Sequence, residues 1–400
     1  MVDLTFLTTP KIVCKSGGLT SELGQLAKSL LGDNLTDDAA SMNGNLPMAL
    51  LVTDPGIVQF GYAKQACASL ELAGFQVTVF DGVQADPPYE VVRQAAKIGK
   101  ESDATVVIGL GGGSSMDTAK IVALAIHSTQ SLDDMVGNEQ ATGTRLPLIA
   151  IPTTAGTGSE MTFVSVLTGD KGDKKAIYSS KLLPDIALLD AALTLGMPRH
   201  VTAAPALDAM VHCIEAYTSR TKKNPISDAL AVKGLQLLTQ NFMTVLEDGN
   251  DITARENMLL GSTLAGMAFV NASVAAVHGL SYPLGAKFHV PHGHSNALVM
   301  GPVFRFNIEA ASRHYAELAS VIMPQRQFAD EQAAAHAFVD EIEGYLNKSG
   351  LPTRLSEVGV TEADLLPMAT EVVEKIARLI ATNPRDMSIE EVRQMYQSVL

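Results

Sequence analysis

The sequence contains no tryptophan, only three cysteines, and few aromatic residues of any kind, at 5% of the chain. The shortage of aromatic rings disfavours a binding site in which sugars stack on side chains. Cys14, Cys67 and Cys213 are scattered, odd in number and outside any CxxC motif. This arrangement indicates neither a disulfide framework nor a thiolate metal site, and it suits a reducing compartment.

Basic residues are also scarce, because 29 lysines and arginines face 43 aspartates and glutamates, for a net charge of −14. Such a balance excludes nucleic acid and an anionic membrane as partners, since both require a basic surface. The chain lacks an apolar run of about 18 residues, which a membrane-spanning helix would need. Its first residues lack the basic and then apolar pattern of a signal peptide, so a cytoplasmic location is expected.

The 400 residues exceed what one hydrophobic core usually organises, so two domains are expected. Between residues 48 and 154, the apolar runs MALLVTD, FQVTVF, ATVVIGL and LPLIAIPTT alternate with helical patterns. Uninterrupted apolar strands between helices are typical of a Rossmann-like parallel sheet covered on both faces. The polar residues 32–47 predict a surface loop. Shorter β-like pieces follow at 162–190.

After about residue 195 the sequence has only helical patterns, so we predict an α/β domain over 1–195 and an all-helical domain over 196–400. The predicted helices of the second domain span roughly 199–219, 225–247, 252–273, 309–323, 329–348, 362–382 and 388–400, with a broken stretch from 274 to 306.

A glycine-rich segment follows the third apolar run and begins a helix, with Gly111, Gly112, Gly113 and Ser114 in order. Glycines at a helix N-terminus let backbone N–H groups approach an anion such as a pyrophosphate. Because Ser114 stands where the dinucleotide fingerprint has its third glycine, the match to that motif is imperfect. A tight strand-to-helix turn without a ligand therefore stays open as the alternative.

Two further features lie at predicted strand ends in this domain. The loop PTTAGTGSE at 152–160 carries hydroxyls and glycines that suit a phosphate or ribose. Asp54 ends the first apolar run, where a carboxylate can accept hydrogen bonds from a ribose diol and would repel a 2′-phosphate. The sequence thus favours NAD over NADP, although Asp54 could instead be a helix N-cap.

The second domain concentrates histidines, because four of the nine in the chain lie between residues 278 and 294. Seventy residues earlier, Asp208 and His212 stand four apart on a helical pattern and share one face. One carboxylate with several imidazoles is a ligand set that first-row divalent metals accept. By itself the Asp208/His212 pair would be unremarkable. Isolated histidines, such as His127, His200, His314 and His336, are interpreted as ordinary surface or core residues.

Four segments, in order and suitably spaced, resemble the signature blocks of the iron-containing (group III) alcohol dehydrogenases. They are GGGSSMDTAK at 111–120, PTTAGTGSE at 152–160, LDAMVHCIEAYTS at 207–219 and HGLSYPLGAKFHVPHG at 278–293. The resemblance covers nearly the whole chain. It implies an architecture like that of dehydroquinate synthase, with a nucleotide-binding α/β domain and a helical metal-binding domain.

Carried over position by position, the resemblance implies two groups of site residues. The implied metal ligands are Asp208, His212, His278 and His292. The implied cofactor-binding residues are Asp54, Gly111, Gly112, Gly113, Ser114, Asp117, Thr153, Thr154 and Thr157.

The sequence departs from the family pattern at two places. Many members carry a second histidine four residues after the third ligand, where this chain has Tyr282. The residues PAL at 205–207 replace the usual small, polar approach to the first ligand. Neither change removes a ligand, but the second could reshape the pocket beside the metal. The first leaves Tyr282, His289, His294 and the ribose hydroxyls of the cofactor as alternative candidates for catalytic proton transfer.

The expected function is therefore reversible hydride transfer between a primary alcohol or aldehyde and NAD at a divalent metal, which the resemblance implies is Fe²⁺, with Zn²⁺ or another ion as alternatives. The resemblance also implies a homodimer. The alternatives are a zinc polyol dehydrogenase of the glycerol type, a hydroxyacid–oxoacid transhydrogenase, a lyase resembling dehydroquinate synthase, and a non-catalytic nucleotide-binding protein. The lyase would require several basic residues for its anionic substrate, and the ligand region offers few.

Overall fold

Strands and helices alternate through the first half of the chain in the computed structural model, which describes residues 4–32 and 46–400. Most of the loop predicted at 32–47 lies outside the described residues. The elements are β1 (Lys11–Cys14), α1 (Gly18–Ser21), α2 (Leu23–Leu30), β2 (Met48–Val52), α3 (Pro55–Gln59), α4 (Tyr62–Leu72), β3 (Gln76–Phe80), α5 (Tyr89–Glu101), β4 (Val106–Gly111), α6 (Gly113–Ala125), β5 (Gly137–Asn138), β6 (Leu148–Pro152), β7 (Val164–Thr168), β8 (Lys174–Tyr178) and β9 (Ile186–Leu189).

Six of these strands form a parallel sheet in the order β1-β9-β6-β4-β2-β3. Alternate residues of the central strands enter different cores, since Leu50 and Val107 pack on one face and Leu51 and Ile108 on the other. Side chains of a strand alternate between its two faces, so apolar runs without polar interruptions bury both. The predicted fold class, a parallel sheet covered on both faces, is confirmed.

The β-like pieces at 162–190 divide between two sheets. β7 and β8 pair antiparallel and join β5 in a small three-stranded sheet, whereas β9 joins the six-stranded sheet. Periodicity in the sequence indicates that these pieces are strands, but it carries no information on which strands pair.

The helix predicted after β2 is in fact two helices, α3 and α4. The chain breaks at Gly61, whose φ of 81° lies in the left-handed region that favours glycine. The amphipathic pattern continues across the break, which is why the sequence alone suggested one helix.

From residue 199 onward the described chain is helical apart from its connections. The helices are α7 (Arg199–Thr218), α8 (Pro225–Glu247), α9 (Ile252–Ala272), α10 (Ala276–Phe288), α11 (His292–Ile322), α12 (Glu331–Ser349), α13 (Glu362–Lys375), α14 (Ala377–Ile380) and α15 (Ile389–Ser398). They surround one hydrophobic core to which nearly all of them contribute.

The stretch predicted as broken between 274 and 306 contains the interruptions before and after α10, but α11 continues beyond residue 306 and is kinked only at Ala311 (φ −123°, ψ 15°). Pro302 lies inside this helix. A proline removes one backbone hydrogen bond, but packing on both sides can keep the helix continuous.

The described residues group into two compact units. One contains residues 7–154 and 158–194, and the other contains residues 195–400 with 155–157 and 4–6. No single described helix has the length and apolarity to cross a membrane, although α9 and α10, bent by 105°, pass that test as a pair.

Candidate metal centre and nucleotide loops

Four side chains of the helical unit converge on one point. Asp208 and His212 lie one turn apart on α7, His278 lies in the first turn of α10, and His292 is the first residue of α11. One ligand atom from each, a carboxylate oxygen or a ring nitrogen, lies within 4.8 Å of all the others. The Oδ1 atom of Asp208 is 3.7 Å from Nε2 of His212, 3.7 Å from Nε2 of His278 and 3.8 Å from Nε2 of His292.

These separations suit a metal ion. Ligand bonds of the usual length in a tetrahedral site place neighbouring ligand atoms about 3.4 Å apart. The four residues also leave room for a further ligand, because His292 is 48% exposed whereas the other three side chains are at most 5% exposed.

The donor count in the cluster points the same way. The Asn296 amide nitrogen is 2.6 Å from Asp208 Oδ1, 3.2 Å from His278 Nε2 and 3.3 Å from His292 Nε2. An amide has two N–H hydrogens and cannot donate to all three atoms at once. Because Asp208 and His278 are buried, a nearby cation stabilises their oxygen and nitrogen lone pairs, so the residues present fit a divalent metal.

The charges of the cluster are also those that a metal site needs. Burial lowers the pKa of His212 to about 3, so its ring is neutral at physiological pH and its lone pair is free to coordinate. Burial would raise the pKa of Asp208, but His212, His292 and His278 together lower it. The carboxylate is therefore ionised.

Two side chains of the cluster, Asn296 and Glu215, were not singled out in the sequence. Glu215 lies three residues after His212, on the same face of α7, and its Oε2 is 2.6 Å from Nδ1 of His278. Burial alone would lower the pKa of His278, but the Glu215 carboxylate raises it. Asp208, His212 and Glu215 are spaced four and three residues apart, which places them on one face of a helix, so the sequence pattern could have identified this carboxylate.

Glycine at position 293 allows two helices to approach closely beside the cluster. A Cβ atom there would lie 2.4 Å from the Ala204 carbonyl oxygen and 3.2 Å from the Asp208 Cβ, so α11 could not begin so near α7 with any other residue. His292 reaches the other ligands because its neighbour has no side chain.

The three candidates for proton transfer lie in different surroundings. The Tyr282 ring centroid is 6.5 Å from that of His292, at the partly exposed side of the cluster. His289 ends α10 in a left-handed conformation and is exposed. His294 is buried, and its Nε2 lies 2.9 Å from the Pro352 carbonyl oxygen. Only Tyr282 contacts a ring of the cluster.

An aromatic ring absent from the sequence-based site also joins the cluster. Phe269 of α9 stacks on His212 with a centroid separation of 4.2 Å and an angle of 20°. Contacts of this kind between residues 57 positions apart have no signal in the sequence.

In the α/β unit, the glycine-rich segment forms the end of β4 and the first turn of α6. Gly111 has a φ of 146°, and a Cβ there would lie 2.6 Å from the Ser115 hydroxyl oxygen. No side chain caps the first turn of α6, which begins after Gly112. Its backbone N–H groups are therefore suited to an anion, so this turn fits a pyrophosphate.

The second predicted loop begins beside the first. β6 is the parallel neighbour of β4, Pro152 is opposite Gly111, and the Thr153 N–H donates to the Gly111 carbonyl at 3.0 Å. Thr154 lies near Gly112, its hydroxyl oxygen 3.9 Å from the position of a Cβ there. Thr157 belongs to the helical unit, with residues 155 and 156.

Asp54 is the N-cap of α3, the alternative role that the sequence left open. Its Oδ1 accepts from the backbone N–H groups of Gly56 and Ile57 at 2.9 and 3.2 Å, and its Oδ2 accepts from the Ser115 hydroxyl at 3.2 Å. The carboxylate thus lies at the glycine-rich turn while it caps a helix.

Asp117 is engaged in a buried network rather than free at the turn. Its Oδ1 accepts from Ser159 at 2.6 Å and from Lys120 at 3.2 Å, and its Oδ2 accepts from the Val166 N–H at 2.9 Å. Lys120 is fully buried, and burial lowers its pKa although Asp117 opposes this. Asp117 therefore connects α6 to Ser159, at the end of the second loop, and to Val166 in β7.

Known proteins resemble this chain in sequence and in fold. Residues 28–191 match the family model described as iron-containing alcohol dehydrogenase, and residues 202–400 match the Fe-containing alcohol dehydrogenase family, C-terminal. A long-chain-alcohol dehydrogenase 1 of Geobacillus thermodenitrificans (strain NG80-2) is 36% identical, covering 87% of this chain and 88% of that protein.

Two further relatives extend the comparison. An NAD-dependent methanol dehydrogenase of Bacillus methanolicus is 30% identical, covering 88% of this chain and 92% of that protein. The crystal structure of a 1,3-propanediol oxidoreductase has a TM-score of 0.92, with 29% identity over the whole of both chains.

Fold and site define a metal-dependent dehydrogenase with a nucleotide-binding α/β domain. The chain belongs to the iron-containing alcohol dehydrogenase family. It is an oxidoreductase that acts on the CH–OH group of small-molecule alcohols and on the corresponding carbonyl compounds. The family, the activity and the dehydroquinate synthase-like architecture predicted from the sequence are confirmed, and the cofactor prediction agrees with an iron-containing family that has an NAD-dependent member.

Proposed function

We propose that this chain converts a primary alcohol and NAD⁺ reversibly to the aldehyde, NADH and a proton, with Asp208, His212, His278 and His292 as ligands of one divalent ion. The convergence of four ligand atoms within 4.8 Å carries the proposal. Nitrogen and oxygen ligands suit Fe²⁺, which the family description favours, although Zn²⁺ binds such a set more tightly.

When bound, the ion would supply a positive charge that lowers the pKa of an alcohol hydroxyl and polarises a carbonyl group, and NAD⁺ would supply the acceptor for the hydride. The residues of the chain supply the rest. Asp208 contributes the one negative charge of the ligand set, and the neutral ring of His212 contributes a lone pair. Phe269, stacked on that ring, keeps water from one side of it.

For the cofactor, we propose that the turn of Gly111, Gly112, Gly113 and Ser114 binds the pyrophosphate. The uncapped N-terminus of α6 and the φ of Gly111 support this role. Thr153, Thr154 and Thr157 are proposed as further contacts. Asp54 is proposed to select NAD by repelling a 2′-phosphate, and Asp117 to hold the second loop in place through Ser159.

For the proton, we propose Tyr282 rather than His289 or His294. The ring of Tyr282 is near His292, while the Nε2 of His294 is already engaged by Pro352.

The substitution Tyr282→Phe should lower kcat and leave metal content unchanged, because only the hydroxyl is removed. His289→Ala is the matched control. An unchanged kcat in Tyr282→Phe would exclude the tyrosine from proton transfer.

The ligand set is tested by His212→Ala and Asp208→Asn. Each should lose both bound metal, measured by elemental analysis, and turnover, because removal of one ligand leaves a buried polar site incomplete. His336→Ala, at an exposed position on α12, is the control and should retain both. A His212→Ala protein with full metal and full rate would refute the assignment.

The reaction is tested with a panel of primary alcohols, glycerol and hydroxyacids, each with NAD and with NADP, followed by the absorbance of the reduced cofactor. Oxidation of simple primary alcohols with NAD is the expected result. Exclusive use of glycerol or of a hydroxyacid would favour the polyol dehydrogenase or the transhydrogenase.

We propose that the protein acts as a cytoplasmic homodimer. The scattered positions and odd number of Cys14, Cys67 and Cys213 support a reducing compartment, and the family resemblance supports the dimer. Sedimentation equilibrium would measure the mass of the assembly.

A further inference from the structure

Glu215 is a buried carboxylate that touches one of the four ligand residues and is not itself part of the ligand set. Its side chain is 3% exposed and faces the first turn of α10 from α7. Its Oε2 accepts from the Ala275 N–H at 2.8 Å and lies 2.6 Å from Nδ1 of His278, and its Oε1 accepts from the Val277 N–H at 2.7 Å. Three donors therefore point at one carboxylate.

The backbone that brings His278 to the cluster is unusual. The axes of α9 and α10 differ by 105° across a link of three residues. Ser273 in this link has a φ of 83°, in the region that a non-glycine residue adopts only where surrounding contacts hold it. Two residues later, the Ala275 N–H donates to Glu215, so the carboxylate holds the end of the link where α10 begins.

The same carboxylate caps α10. The N-cap residue Ala275 has no side chain that could satisfy the first N–H groups, and no side-chain cap is formed at that position. Glu215 supplies this cap from another helix, where a negative charge is favourable beside the helix N-terminus.

The contact with the ring determines which nitrogen of His278 is free. Because Nδ1 faces a carboxylate, it carries the proton and donates, so Nε2 keeps its lone pair and faces Asp208 Oδ1 at 3.7 Å. His212 has no such carboxylate among the described residues beyond the ligand Asp208, and the backbone of Gly156 is a further polar neighbour of its ring. Among the ligands of α7 and α10, only His278 is therefore held by a carboxylate.

We propose that Glu215 is the positioning residue of the metal site, which sets metal affinity by fixing the tautomer and the ring of His278 together with the first turn of α10. The inference rests on the ligand set of the proposed function. A purely structural residue would instead stabilise the fold and leave the affinity of the folded protein for metal unchanged.

The experiment uses the full-length, metal-free protein titrated with Co²⁺, whose visible absorption reports the number and type of its ligands. Glu215→Gln should bind Co²⁺ roughly 10–100-fold more weakly, because an amide cannot accept from all three donors and presents its own N–H groups to them. Glu215→Asp keeps the charge with one methylene less and should show an intermediate loss. Glu247→Gln, exposed at the end of α8, should bind as the unchanged protein does.

Circular dichroism of each metal-free variant separates affinity from folding. A folded Glu215→Gln protein with the affinity of the unchanged chain would overturn the inference. If that variant does not fold, Glu215→Asp decides: weaker Co²⁺ binding supports the positioning role and unchanged binding refutes it. Failure of the unchanged chain to bind Co²⁺, or unchanged binding by His212→Ala, would instead disprove the ligand set itself.

Discussion

The ligand histidines have opposite electrostatic surroundings although they share one site. His212 is buried against Phe269, and burial lowers its pKa to about 3 although Asp208 opposes this. For His278, burial is outweighed by Glu215, and its pKa is raised. Burial of an imidazole without an acceptor favours the neutral form, and a carboxylate at hydrogen-bond distance favours the charged form.

This difference predicts the pH dependence of the metal-free protein. Between about pH 6.5 and pH 3, unfolded His212 binds a proton that the folded chain does not, so its contribution lowers the free energy of unfolding as the pH falls. His278 contributes with the opposite sign, because its raised pKa adds stability that is fully present below about pH 6.5 and is lost as the pH rises above that value through the pKa of the folded state. The measured profile of the unchanged protein is the sum of both.

Replacing His212 with asparagine removes one of these contributions. As the pH falls from 7 to 5, the free energy of unfolding of the unchanged protein should decrease relative to that of His212→Asn. The decrease should be at most about 1.4 kcal/mol per pH unit. Urea unfolding in the presence of a chelator measures it, with exposed His336→Asn as control. A difference independent of pH would show that His212 titrates normally.

The elements that carry the ligands meet only because particular positions lack side chains. α11 begins against α7 at Gly293, where a Cβ would lie 2.4 Å from a backbone oxygen of Ala204. The sequence places Gly293 in the stretch predicted as broken, but the need for glycine there depends on the neighbouring helix, whose Ala204 is 89 residues away.

Gly293→Ala should therefore destabilise the protein by about 1–3 kcal/mol, the usual cost of overpacking, and should weaken Co²⁺ binding because His292 is displaced from Asp208. The matched control is Gly344→Ala on α12, where a Cβ would meet nothing within 4 Å. That change should stabilise the protein by about 0.5–1 kcal/mol, since alanine is the better helix former. Thermal unfolding and Co²⁺ titration measure both variants. Equal effects would contradict the close approach.

At the scale of the whole molecule, the ligands belong to the helical unit and the glycine-rich turn to the α/β unit. Metal binding should therefore stabilise residues 195–400 selectively. With free metal at one hundred times Kd, the stabilisation is about 2.7 kcal/mol. Chelation should lower the melting temperature and speed hydrogen exchange in the helical unit more than in residues 46–154. His212→Ala should not respond to chelation, and equal exchange with and without metal would argue against a site in this unit.

The hydrophobic periodicity of the sequence was sufficient to predict the alternating strands and helices of the first half and the helices of the second half. Apolar runs at 48–54 and 104–110 predicted buried parallel strands, and the family resemblance predicted the ligands Asp208, His212, His278 and His292, whose side chains the structure brings together. The apparent single helix at 57–74 is two helices, and α11 extends through Pro302 to a kink at Ala311 instead of beginning after residue 306, because a left-handed glycine and a tolerated proline are decided by local packing.

The sequence by itself determined which apolar runs form buried strands and which residue types could bind a metal and a nucleotide, since hydrophobic period and side-chain chemistry are local properties. Only the tertiary structure decided that Glu215 faces His278, that Asp54 caps a helix beside the glycine-rich turn, and that Asp117 is engaged with Lys120 and Ser159. Each of these is a contact between distant segments, and such contacts follow from how helices and strands pack rather than from any spacing along the chain.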